Sequence, residues 1–133
     1  MLLPALVIAV SSWWLLTGLA LLLVHQPHER ARMGFIILSI LALLAWCLVP
    51  LTVDSSEPLA AAVGFMLGLL IWGWLEVSYL LGYVNGPNHE VCKKNATMWE
   101  RFKGGVATTI YHEGCVLLSV GLLAGLSLGH VDP

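Results

Sequence analysis

Charge is scarce in this chain of 133 residues: six Lys or Arg and eight Asp or Glu, 11% of the total, where soluble domains carry about 25%. The shortage excludes a water-soluble fold of this size. With 59% of residues hydrophobic and a mean hydropathy of +0.87, more apolar surface exists than one small core can hide, and lipid is the solvent that suits it. The formal net charge of −2 offers nothing to a nucleic acid or another strongly charged partner. Cysteine is scarce too. Cys47, Cys92 and Cys115 are odd in number and form no C-x-x-C pair, which argues against a disulfide framework or a zinc ribbon. No Lys or Arg precedes the first apolar run and no small-residue cleavage site follows it, so that run is not expected to be a signal peptide.

What the chain has instead is four apolar runs, at about residues 2–24, 33–53, 59–84 and 104–129. Each supplies the ~20 residues that cross a hydrocarbon core. Barrel strands need only about 10 residues with alternating polarity, and these runs are longer and do not alternate. A helix satisfies its own backbone hydrogen bonds in lipid. The expected fold is therefore all-α, an integral membrane four-helix bundle forming a single transmembrane domain over residues 1–133.

Direction follows from the basic residues. Arg30 and Arg32 lie in the first loop, Lys93, Lys94, Arg101 and Lys103 in the third, and the second loop and both tails have none. Loops one and three share a side, which the positive-inside rule makes cytoplasmic; both termini are then periplasmic. The Asn95-Ala96-Thr97 sequon falls on the cytoplasmic side, where it would go unused. Met98 to Lys103 mixes aromatic and basic residues and reads either as a short interfacial helix or as a lead-in to the fourth span with a Trp anchor.

Two carboxylates stand out inside the spans, Glu76 in the third and Glu113 in the fourth. A charge at a helix centre costs at least ~2.5–3.5 kcal/mol, so such residues usually have a partner. Counted from Val84 and Gly104 at ~1.5 Å per residue, they lie about 12 and 13.5 Å deep, at one level slightly inside the midplane. Trp72, Glu76, Tyr79 and Tyr83 share a helical stripe, and His112 adjoins Glu113 at ~100° around the axis. Three readings stay open for this layer. It holds a metal, as Glu/His sets do in bundles, although no Glu-x-x-His occurs. It holds a pigment with His112 as axial ligand. Or it is a hydrogen-bonded network that fixes helix packing. Gly64 and Gly68 in the third span and Gly121, Gly125 and Gly129 in the fourth form G-x-x-x-G units, which let helix backbones approach closely, within the chain or against a partner.

Three stretches carry a resemblance: Trp13-Trp14-Leu15-Leu16-Thr17-Gly18-Leu19; Trp72-Gly73-Trp74-Leu75-Glu76 running on to Leu81-Gly82-Tyr83-Val84-Asn85-Gly86-Pro87; and Tyr111-His112-Glu113. In order and spacing they resemble the N-terminal half of the photosynthetic complex assembly protein 2 (PuhE-like) family of phototrophic bacteria. Members of that family are longer, and Gly114 stands where a leucine is expected. The family's polar signature falls on Trp72, Trp74, Glu76, His112 and Glu113. The resemblance implies an assembly or accessory role beside reaction-centre and light-harvesting subunits in the bacterial inner, intracytoplasmic membrane, with contact to bacteriochlorophyll, a carotenoid or a quinone. The alternatives are a membrane metalloprotein or enzyme using Glu76, His112 and Glu113, and a small transporter-like bundle. Too few polar residues line the second span to favour transport.

Overall fold

The computed structural model describes residues 2–128, which form four helices: α1 (Leu2–Val24), α2 (His28–Val53), α3 (Pro58–Leu80) and α4 (Met98–Leu128). No strand occurs among the described residues. All four helices are long and apolar enough to cross a membrane, so the chain is an all-α, multi-pass membrane bundle. Nothing in α1 is buried; Leu2 (85% exposed) and Trp14 (75%) show how bare it is. A helix that is apolar on every side and lies outside a protein core has lipid as its remaining cover.

The helix ends depart from the hydropathy runs, each for a local reason. α2 begins at His28 rather than near residue 33, taking the polar turn into its first turns behind Pro27. There Glu29 meets the positive end of the helix dipole. α3 starts on a proline at its first position, where a missing N–H costs nothing. It stops at Leu80, not Val84, because Gly82 takes a φ of +79°. The Gly82 N–H donates to Tyr79 O at 3.0 Å and the Tyr83 N–H to Ser78 O at 2.9 Å. That is a Schellman end, which glycine adopts without a Cβ penalty. α4 starts at Met98, six residues before the apolar run. Thr97 and Glu100 cap it reciprocally: the Thr97 N–H donates to Glu100 Oε2 (2.9 Å) and the Glu100 N–H to Thr97 Oγ1 (3.3 Å), a capping box.

α3 lies at the centre and touches every other helix, most extensively α2. Ala45, Val49 and Ile71 form the buried seam, flanked by Trp46, Leu67 and Leu70, with Leu123 and Leu126 closing it from α4. Small side chains let helices approach, and Ala42 (3% exposed) and Ala45 (1%) are buried on α2. Across the same pair the Trp74 indole N–H donates to Ser39 Oγ at 2.8 Å, and Phe35 stacks on Trp74 with centroids 6.3 Å apart. α1 meets α3 through Trp13 and Trp72, centroids 6.3 Å apart.

Candidate functional site

Glu76 is four residues from Leu80, about 6 Å from the end of α3. His112 of α4 comes to the same height. Its Nε2 is 3.6 Å from Glu76 Oε1, with side-chain exposures of 9% and 29%. That separation suits an ion pair and exceeds a hydrogen bond. Tyr79, one turn below Glu76, lays its ring on the imidazole with centroids 4.6 Å apart. The other ring nitrogen, Nδ1, is buried without a hydrogen-bond partner. This is a polar cluster with one valence open, which in an interior is the costly kind.

Backbone from the third loop holds this cluster in place. The Asn85 carbonyl accepts hydrogen bonds from the N–H groups of both Tyr111 (2.7 Å) and His112 (2.9 Å), and the Asn88 N–H donates to Ala107 O at 3.0 Å. The Asn88 side chain donates to Gly104 O at 3.2 Å. Gly86 is buried, and a Cβ there would meet the Ala107 carbonyl and the Thr108 backbone. Glycine is what permits the loop to press on α4 at the turn that bears His112. The hydropathy reading passed over Asn85 and Asn88 because their work is done by loop backbone and amides. The Asn-Gly-Pro-Asn turn signature was the available clue.

The structure divides the expected site residues. Glu76, Tyr79 and His112 come together. Trp72 leaves the stripe and packs on Trp13 of α1. Tyr83, beyond the helix end, sits 4.8 Å from the Phe35 ring. Glu113 lies at nearly the height of His112 but is exposed on the outer side of α4, so within this chain it does not join Glu76. No group of three His, Cys, Asp or Glu side chains among the described residues is placed to hold a metal ion. The metal reading therefore has no donor set here. The axial-ligand reading finds one imidazole nitrogen turned to Glu76 and the other buried.

The glycines divide as well. A Cβ on Gly64 would fall 2.8 Å from Thr52 Oγ1 of α2, so Gly64 serves the α2–α3 approach. A Cβ on Gly68, Gly121 or Gly125 would meet nothing within 4 Å. Gly129 lies outside the described residues. Glu113, Leu117, Gly121, Ala124 and Leu128 are all exposed. Their spacing of four, four, three and four puts them on one outward face of α4, with Gly125 at its edge.

The sequence matches, over residues 1–132, the family described as protein of unknown function (DUF3623). It is similar to an uncharacterised 30.4 kDa protein in the puhA 5′ region of Rhodobacter capsulatus. The two are 32% identical over 126 residues, covering 90% of this chain and 43% of the relative. The chain thus spans less than half the length of that curated relative. No solved structure matches it. With the match running through nearly all of the sequence, the chain belongs to the DUF3623 family.

Proposed function

We propose that this chain is an assembly or accessory membrane subunit of a bacterial photosynthetic complex, docking on reaction-centre or light-harvesting subunits through its transmembrane helices. The observation that carries the docking is the outward face of α4. There Gly121, Ala124 and Gly125 leave the backbone open, and the Glu113 carboxylate stands within an apolar surface. An ionisable group on a membrane helix is costly toward lipid and favourable toward a partner that brings a donor. The photosynthetic context is supported by the relative in the puhA 5′ region and by the family resemblance of the Trp72 to Pro87 and Tyr111 to Glu113 stretches. Contact with bacteriochlorophyll, a carotenoid or a quinone then runs along this docking face and not through His112, whose ring nitrogens are turned inward.

In the same reading loops one and three are cytoplasmic and both termini periplasmic, because Lys93 and Lys94 sit in loop three and the other four basic residues sit in the first two turns of α2 and α4, which those loops lead into. Labelling with a membrane-impermeant thiol reagent from the periplasm tests it. Ser55→Cys should react and native Cys92 should not; the reverse pattern overturns the orientation. For the function, a tagged chain expressed in Rhodobacter capsulatus and extracted in mild detergent should co-purify with pigmented reaction-centre or light-harvesting protein. Recovery of the chain free of pigment–protein, from membranes that assemble those complexes normally, overturns the proposal. Metal analysis of the same preparation addresses the alternative of a metalloprotein built on Glu76, His112 and Glu113, which needs a stoichiometric ion.

A further inference from the structure

The third loop and the start of α4 enclose a recess of about 790 Å³. Its floor is made by absence. Gly104 and Gly105 put no side chain there, and a Cβ on Gly105 would meet nothing within 4 Å. Thr108, one turn on, folds its hydroxyl back onto Gly104 O at 2.7 Å. The roof is loop backbone, pinned to α4 by the two Asn88 hydrogen bonds to Ala107 O and Gly104 O. Three cations line the recess: Lys93, Lys94 and Arg101. The Arg101 guanidinium donates to the Lys94 carbonyl at 3.5 Å, a contact between the start of α4 and the loop. Two carboxylates, Glu90 and Glu100, also line it, but Glu100 is turned to the Thr97 N–H as the helix cap. The balance of the lining is positive.

Its height fixes what it meets. α4 has 31 residues, about 46 Å of helix against a hydrocarbon core of ~30 Å, and its first two turns carry Glu100, Arg101 and Lys103, so this is the end suited to the headgroup layer. Trp99 and Phe102 stack at 5.6 Å and Lys103 lies 5.3 Å over the Trp99 ring, an aromatic and basic pair of the kind that seats at that level. Basic pockets beside membrane helices suit anionic headgroups, and a guanidinium offers a fork of donors matched to phosphate oxygens.

We infer that this recess binds a phosphate group, with Lys93, Lys94 and Arg101 as its cationic ligands and the Gly104–Gly105 floor as the space it occupies. The source favoured by its height is an anionic phospholipid headgroup; free phosphate shares the chemistry. The test uses the full chain in a zwitterionic detergent, titrated with phosphatidylglycerol, with phosphatidylcholine and with inorganic phosphate, and read by native mass spectrometry. One retained phosphatidylglycerol per chain, in preference to phosphatidylcholine, is expected. Inorganic phosphate that displaces it at similar concentration supports the site and makes its ligand soluble; failure to displace it makes the ligand the lipid. Each basic residue near an anionic surface contributes roughly fivefold in affinity, so Lys94→Gln with Arg101→Gln should cost well over tenfold. Any cationic surface would lose lipid in that way, so two further variants separate a built site from general charge. Gly105→Leu fills the floor, removes no charge and favours the helix; it should also abolish the single adduct. Lys103→Gln removes a charge outside the recess and should leave the adduct in place. Retention unchanged in Gly105→Leu, or lost equally in Lys103→Gln, overturns the inference. So does an absence of any preference for phosphatidylglycerol.

Discussion

Small residues meet opposite fates on the two sides of this bundle. Between α2 and α3, Ala42, Ala45 and Gly64 are taken up by the neighbouring helix, and the seam is finished with a Trp–Ser hydrogen bond and stacked rings. Along the outer side of α4, Gly121, Ala124 and Gly125 face nothing of this chain. The same contrast divides the two carboxylates. Glu76 has His112 within reach, with Tyr79 packed on that imidazole, whereas Glu113 looks outward. The inner seam holds the monomer together, and the outer face adds little to it. A face that contributes nothing internally and still carries a carboxylate is where a partner has something to gain.

The inner seam should fail when it is overfilled. Ala45→Phe places a ring where the side chain is 1% exposed, and overpacking of this kind costs about 1–3 kcal/mol. Thermal unfolding in detergent, followed by helical circular dichroism, should show a clear drop in midpoint. A midpoint equal to that of the parent would mean that the α2–α3 contact is not what holds the helices.

A loss of the same order is expected at the polar pair. Glu76→Leu leaves His112 with neither ring nitrogen near an acceptor, and a stranded buried polar group costs about 1–3 kcal/mol. Glu76→Gln keeps a side-chain oxygen and adds a donor, so it should lie close to the parent. Equal destabilisation by Gln and Leu would mean that the carboxylate charge matters, and the His112 contact would then be an ion pair in substance.

Much of this was legible in the sequence, and the misses share a cause. Hydropathy counts side chains, so it located all four spans, but two boundaries are decided by backbone chemistry it does not register. Gly82 ends α3 by its positive φ although Tyr83 and Val84 prolong the apolar run, and the Thr97–Glu100 box starts α4 among charged residues. Helical periodicity put Trp72, Glu76 and Tyr79 on one stripe, but a stripe has width. In a helix at the centre of a bundle its edges serve different neighbours, so Trp72 goes to α1 and Tyr79 to α4. Spacing also flagged every G-x-x-x-G unit alike. Which ones are filled depends on which side of each helix the rest of the chain occupies, and that is a property of the tertiary arrangement alone.

The smallest expected effect on the isolated chain is therefore the most informative about function. In Gly125→Leu the new side chain enters open space, since no heavy atom lies within 4 Å of its Cβ position. Leucine also favours helix over glycine, by something under 1 kcal/mol. The detergent melting midpoint should stay level or rise slightly, in contrast to Ala45→Phe. Association should behave in the opposite way, because a branched side chain at a G-x-x-x-G position holds a partner helix away from the backbone. Recovery of pigment–protein with the tagged variant should fall even though the variant folds as well as the parent. If both midpoint and recovery are unchanged, the outer face of α4 is lined by lipid and docking must be sought on another helix. If the midpoint falls as it does for Ala45→Phe, then Gly125 is packed within the chain and the contrast between the two sides of the bundle disappears.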